Sequence, residues 1–248
     1  KCAQGKRQGQ PDNDGGNPPA PTPVVGPVQM PVLSNVHPRL WIRPQDLPTL
    51  RAWAVPGNAI YEQGIKKLAL DYKARMDSGQ LYTEDCGCTF GHMYLYPVEW
   101  GAELFAFMSL IENDQSVRDD YALRARTLLM YMMDKAALGP SPIDADYRGA
   151  GGAVFSTNMR SLFFGEAFPL TVDWIYPYLS AQDKATIRTV FMRWIQENLK
   201  ATTSGMDHPE PVWVLNHPSL LSDKKRMCNA ANNFYLAHMN QIGLMSLA

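Results

Sequence analysis

From residue 37 onward apolar positions recur every three or four residues and hardly ever alternate, which predicts helices and no sheet. Pro44 and Asp46 suit the first turn of a short helix reaching Ala54. Asn58 is placed to cap a second helix, with Tyr61, Ile65, Leu68, Tyr72 and Met76 as its apolar stripe and Gly79 closing it. A third covers residues 97–112. A fourth starts near Ser116, carries Val117, Tyr121, Ala125, Leu128 and Met132 on one side, and stops at Gly139. Residues 139–155 read as a Gly/Pro loop. Ser156 caps a fifth helix with Phe163, Ala167, Leu170 and Trp174, kinked where the Pro169 ring presses on the Gly165 carbonyl. Ser180 and Asp183 resemble a capping box at the head of a sixth, which carries Ile187, Phe191, Trp194 and Ile195. After a loop holding His208, Pro209, Pro211, His217 and Pro218, a seventh helix runs to the end of the sequence.

Charge divides these helices into two kinds. The second, fourth and sixth carry seven, seven and six charged residues. The third has one, Glu103, between residues 101 and 111; the fifth has three (Arg160, Glu166, Asp173); the seventh has none after Arg226. Alternation of solvated and buried helices predicts an all-α fold of helical hairpins in two layers, inner and outer. The seventh helix reaches Ala248 without a closing signal, and seven helices are too few to close a ring of hairpins. The expected fold is therefore an incomplete (α/α) toroid, with the C-terminal remainder of the protein lying beyond Ala248.

The first 31 residues differ in kind, with seven prolines, five glycines and almost no aliphatic side chains before Val24. Such a stretch cannot bury enough surface to offset its ordering entropy. Residues 1–36 are expected to be a disordered Pro/Gly-rich linker and residues 37–248 the helical domain. A tether of this kind suits an exported bacterial protein, extracellular, periplasmic or held at the cell surface, whose signal peptide has gone. Residues 227–248 lack formal charge, but Asn229, Asn232, Asn233, His238, Asn240 and Gln241 are costly in hydrocarbon, which argues against a transmembrane segment. A net charge of -1, from 23 basic and 24 acidic residues, gives no electrostatic footprint for duplex nucleic acid.

Candidate chemistry concentrates in the seventh helix. Asparagine is a poor helix former, yet Asn229, Asn233 and Asn240 share one face of an uncharged helix. One reading is a polar seam bonded to neighbouring loops. The other is a set of neutral donors lining a cleft, suited to a carboxylate that becomes enolate-like during a reaction. His238 is either a satisfied core residue or an acid or base. Cys86-Gly87-Cys88 with His92 lacks a second ligand pair, so no metal is expected and a disulfide is the better reading, with Cys228 as one candidate partner. Gly149 to Gly152 have no following Lys-Ser/Thr, which argues against a phosphate cradle, and no cofactor is expected. Trp100 and Trp174 are expected in the core, and Trp213 is a candidate platform for a sugar ring. Arg160 is placed to pair with a substrate carboxylate, or with Glu103 or Asp173.

Three segments together carry a resemblance. The run His37-Pro38-Arg39-Leu40-Trp41-Ile42-Arg43-Pro44-Gln45-Asp46-Leu47 resembles the opening of the heparinase II/III and alginate lyase group. Asp173-Trp174-Ile175-Tyr176-Pro177-Tyr178-Leu179-Ser180 is similar to that group's Asp-Trp-Leu-Tyr run, which is followed by a capped helix. Asn232-Asn233-Phe234-Tyr235, with His238 to Asn240, resembles its Asn-rich inner helix, although Phe234-Tyr235 stand where Trp-Asn is frequent. The resemblance implies a toroid followed by further helices and a β-sandwich region, acting on an acidic polysaccharide by β-elimination. It implies Asn232 or Asn233 as the group that neutralises the C5 carboxylate, with a tyrosine or histidine as base. The tyrosine base of the group comes from a later helix. His238 is then a catalytic candidate, and Arg160, Tyr235, Asn240 and Trp213 are candidates for binding substrate.

Two other readings fit the same helices. A glycoside hydrolase needs two carboxylates; Glu166 and Asp173 lie about 10.5 Å apart by helical rise, outside the usual inverting separation of about 6.5–9.5 Å. A partner from another helix is then required. The third reading is a non-catalytic carbohydrate-binding toroid.

Overall fold

The computed structural model describes residues 35–82, 96–137, 166–200 and 233–248, and all regular structure among them is helical. A 3-10 turn, Pro44–Asp46, leads into α1 (Leu47–Trp53). A π-helical stretch, Ile60–Lys66, continues into α2 (Lys67–Asp77). Then come α3 (Tyr96–Ile111), α4 (Gln115–Ala137), α5 (Ala167–Trp174), α6 (Ala181–Lys200) and α7 (Asn233–Leu247). The chain divides into the units Lys1–Asn35 and Val36–Ala248, and the helices belong to the second.

Local signals explain most helix ends. Asn58 Oδ1 accepts the backbone N–H of Ile60 and of Tyr61, at 3.1 and 3.3 Å, and Gly79 closes α2 at φ 78°. Ser180 and Asp183 form the reciprocal box: Asp183 N–H donates to Ser180 Oγ at 3.1 Å and Ser180 N–H to Asp183 Oδ2 at 2.8 Å. Burial works against ionisation of Asp183, but bonds from Arg126 and Ser180 outweigh it and hold its carboxyl below the ordinary range. The cap of α4 is Asp114 rather than Ser116, its Oδ1 accepting Ser116 N–H at 2.7 Å and Val117 N–H at 3.2 Å. A carboxylate is at least as good an N-cap as a hydroxyl, so the helix takes the earlier one.

The second helix departs from its expected stripe. Leu68 is 49% exposed, and the buried positions are Tyr61, Ala69 and Tyr72. Bonds from i to i+5 in the π stretch widen the turn, so the buried side passes from Ile65 to Ala69. Within the described residues Pro169 lies in the first turn of α5, where an absent N–H breaks no helical bond. Gly165, Ser156, Phe163 and the loop 139–155 lie outside the described residues.

The direction of each helix follows from cross-contacts. Lys73 Nζ meets Asp120 Oδ2 at 2.6 Å and Arg124 Nη1 meets Asp77 Oδ1 at 2.5 Å, so α2 and α4 run the same way. Tyr178 OH donates to Asp119 at 2.5 Å, and Arg126 forks onto Asp183 at 2.7 and 3.0 Å, which extends that direction to α6. Successive hairpins reverse: Phe105 packs on Tyr121 between α3 and α4, with ring centroids 5.7 Å apart, and Phe168 on Trp194 between α5 and α6, 5.4 Å apart. Charged α2 and α4 thus run parallel, α4 meets charged α6 through Arg126 and Asp183, and apolar α3, α5 and α7 pack against them. Between them lies one core that includes Phe105, Met108, Leu128, Met132, Phe168 and Trp194. Gly101 permits a close approach of α4 to α3, since a Cβ there would stand 2.9 Å from Leu128 Cδ1.

Candidate functional site

Two polar groupings sit on the inner helices. The first is centred on Asp173, in the last turn of α5 and fully buried. Its carboxylate accepts three hydrogen bonds, from His37 Nδ1 at 2.6 Å, Arg39 N–H at 2.8 Å and Leu40 N–H at 2.9 Å. An ionised carboxylate is tolerated out of water only when so satisfied. Trp174 Nε1 donates to the Leu40 carbonyl at 3.1 Å, and His37 stacks on Tyr176 with ring centroids 3.8 Å apart. Residues 37–40 therefore form a strap across the end of α5, beginning with the cis His37-Pro38 peptide. Beyond it, Ile42 N–H bonds the Leu40 carbonyl at 2.6 Å, which holds Trp41 at φ 60° with 63% of its surface exposed. Arg39 extends the strap to α7, donating from Nη2 to the Leu247 carbonyl at 2.5 Å.

This grouping corrects one expectation and refines another. Asp173 is not paired with Glu166 as a hydrolytic acid, since its carboxylate is bonded by the strap; its expected pairing with Arg160 lies outside the described residues. Trp174 is buried as expected, but Trp100 is 42% exposed. Trp100 lies one turn before Glu103 on α3.

The second grouping lies toward the other end of the same helices. Asn240 Nδ2 of α7 donates to Glu166 Oε1, which immediately precedes α5. Glu103 of α3 is partly buried, and its carboxyl is pushed above the ordinary range first by burial and then by the negative charge of Glu166. A carboxyl biased toward its protonated form beside a second acidic group is the kind of arrangement that acid–base chemistry uses. Its sequence signal was the lone charge among the apolar residues 101–111. A single acidic residue does not by itself announce a partner 63 positions later.

Of the residues expected to act, Asn240 is described: it is exposed and bonded to Glu166. Asn233 opens α7, and Tyr235 and His238 follow in the same helix, but their side chains lie outside the described residues. Asn232, Arg160, Trp213 and the four cysteines also lie outside. Among the described residues no three His, Cys, Asp or Glu side chains gather to hold a metal ion. Nor is any helix among them long and apolar enough to cross a membrane. An outer-layer groove of about 430 Å³ is lined by Lys66, Lys73, Glu112, Asp120 and Tyr121 among others, but its charges are partly paired internally, as in Lys73–Asp120.

The chain matches no protein-family model, no curated protein and no solved structure.

Proposed function

We propose that the helical unit is an arc of an (α/α) toroid and that the protein, exported from its cell, cleaves a uronic-acid polysaccharide by β-elimination. One observation carries this reading. The three segments that resemble heparinase II/III and alginate lyases are far apart in sequence, yet the strap ties the first two together and reaches the helix that carries the third: Asp173 holds His37, Arg39 and Leu40, and Arg39 holds Leu247, seven residues beyond Asn240. Parallel inner helices, each returning through an antiparallel outer one, are the packing such a toroid requires.

In the proposed reaction Asn232 or Asn233 hydrogen-bonds the C5 carboxylate and stabilises the charge that gathers there as the C5 proton leaves. His238 is the candidate on this chain for proton transfer. The electron pair forms the C4–C5 double bond as the C4–O bond breaks, and the departing oxygen takes a proton. Arg160, Tyr235, Asn240 and Trp213 are assigned to hold the sugar chain.

The test is to incubate the protein with alginate, heparan, hyaluronan and pectic substrates and follow ultraviolet absorbance from new C4–C5 double bonds. Absorbance should rise with at least one substrate, and Asn233→Ala should abolish the rise while leaving the fold intact. Activity surviving in both Asn233→Ala and Asn232→Ala sinks the neutraliser assignment. A second reading is glycoside hydrolysis, with Glu103, whose carboxyl is pushed up by burial and by the charge of Glu166, as the acid candidate. It predicts new reducing ends without new absorbance.

A further inference from the structure

Helix α7 is fastened to α5 at two points. Asn240 bonds Glu166 directly, and Leu247 is bonded through Arg39, whose own backbone N–H is held by Asp173. The spacing matches: Asn240 and Leu247 are seven residues apart, as are Glu166 and Asp173. Seven residues are two turns, about 10.5 Å of rise, and return to nearly the same side of a helix. Both fastenings therefore lie on one seam between two parallel helices, and Asn233 falls one further heptad back along the same stripe of α7. A single contact leaves a helix free to slide and turn about it; two contacts 10 Å apart, in register, do not.

The strap itself is anchored on either side of Arg39. His37 is bonded to Asp173 and stacked on Tyr176, while Leu40 is gripped through its N–H by Asp173 and through its carbonyl by Trp174 Nε1. The Arg39 guanidinium thus starts from a backbone that α5 has already placed. Its rigid planar fork presents donors with less freedom than a lysine stem.

We propose that Arg39 is a positioning residue: by linking Asp173 of α5 to the Leu247 carbonyl, it sets the axial register of α7 against α5 and so holds Asn240 on Glu166. Its bearing on turnover rests on the lyase reading; its bearing on the register does not.

The experiment compares Arg39→Ala and Arg39→Lys with the unaltered chain by amide hydrogen exchange and by the NMR signal of the Asn240 side-chain amide. In Arg39→Ala, exchange across residues 241–247 should quicken about tenfold, as expected when one charge-assisted bond is lost. It should hold steady in α1 and α4, and the Asn240 amide signal should move. Arg39→Lys, which keeps a donor, should recover most of both changes. Unchanged exchange in α7, or an increase spread evenly over every helix, overturns the proposal, as does an Asn240 signal that stays in place. If Arg39→Ala fails to fold, Arg39→Lys is read by the same criteria, with smaller shifts confined to α7 as the supporting result. On any polysaccharide the unaltered chain cleaves, Arg39→Ala should lower kcat/KM about tenfold, because α7 carries both the candidate neutraliser and the Asn240 assigned to hold the sugar chain. An unaltered chain inactive on every polysaccharide removes the lyase reading and leaves exchange and the Asn240 signal to decide the register.

Discussion

Asp173 Oδ1 accepts the Nδ1 proton of His37 at 2.6 Å, across 136 residues of chain. With the Arg39 and Leu40 N–H groups on Oδ2, this one carboxylate fixes the start of the helical unit to the end of an inner helix. Removing it strands three donors away from water.

Asp173→Ala should therefore destabilise the protein by about 3–5 kcal/mol, the usual cost of breaking a buried charged contact from one side. Asp173→Asn should cost less, because its carbonyl still accepts from the strap, although its NH2 then faces a donor. Urea denaturation read by tryptophan fluorescence measures both, with Trp174 close to the altered bonds. Equal losses in the two variants would mean that the strap's hydrogen bonds contribute nothing specific.

Gly101 lies inside α3, where alanine ordinarily gains about 1 kcal/mol in helix propensity. Here a Cβ would meet Leu128 at 2.9 Å, Tyr72 at 3.2 Å and Leu81 at 3.3 Å. Gly101→Ala should be net destabilising, since overpacking a close-packed contact costs about 1–3 kcal/mol. Combining it with Leu128→Val should cost less than the sum of the two single changes. Thermal denaturation of the four proteins in that cycle supplies the coupling; simple additivity would mean that α4 shifts freely.

Glu103 gives the apolar helices a pH dependence of definite sign. Its folded carboxyl titrates above the ordinary value of 4.5, first through burial and second through Glu166. A group with a raised folded pKa contributes most below its unfolded value, and that contribution is lost as pH rises through the folded one. Glu103→Gln, neutral at every pH, should thus be more stable than the unaltered chain at pH 7 and lose that advantage below about pH 4. Urea midpoints at the two pH values check this. Glu166→Gln should lower the Glu103 titration without returning it to 4.5, because burial, the larger cause, remains; carbon NMR of the carboxyl follows the shift.

Helical type and several of the described helix ends were legible in the chain because they depend on signals within a few residues. The Ser180–Asp183 box, the Asn58 cap and Gly79 each act within one turn, and they stand as their spacing predicts. The division into charged and apolar helices was legible as well, because a charged helix cannot be enclosed on all sides and an apolar one is covered. Leu68 escaped the pattern because a π stretch changes the period on which the pattern rests.

Partnership between distant groups was settled by packing alone. Nothing near His37 names Asp173, and nothing near Glu103 names Glu166, since each pairing depends on how inner helices align two turns at a time. The sequence determined which helices form and which of them are buried, through local hydrogen bonding and hydrophobic periodicity. Only the tertiary structure decided that Asp173 serves the strap rather than chemistry and that Glu103 titrates high, because burial and the field of a neighbouring charge exist only once the helices have met.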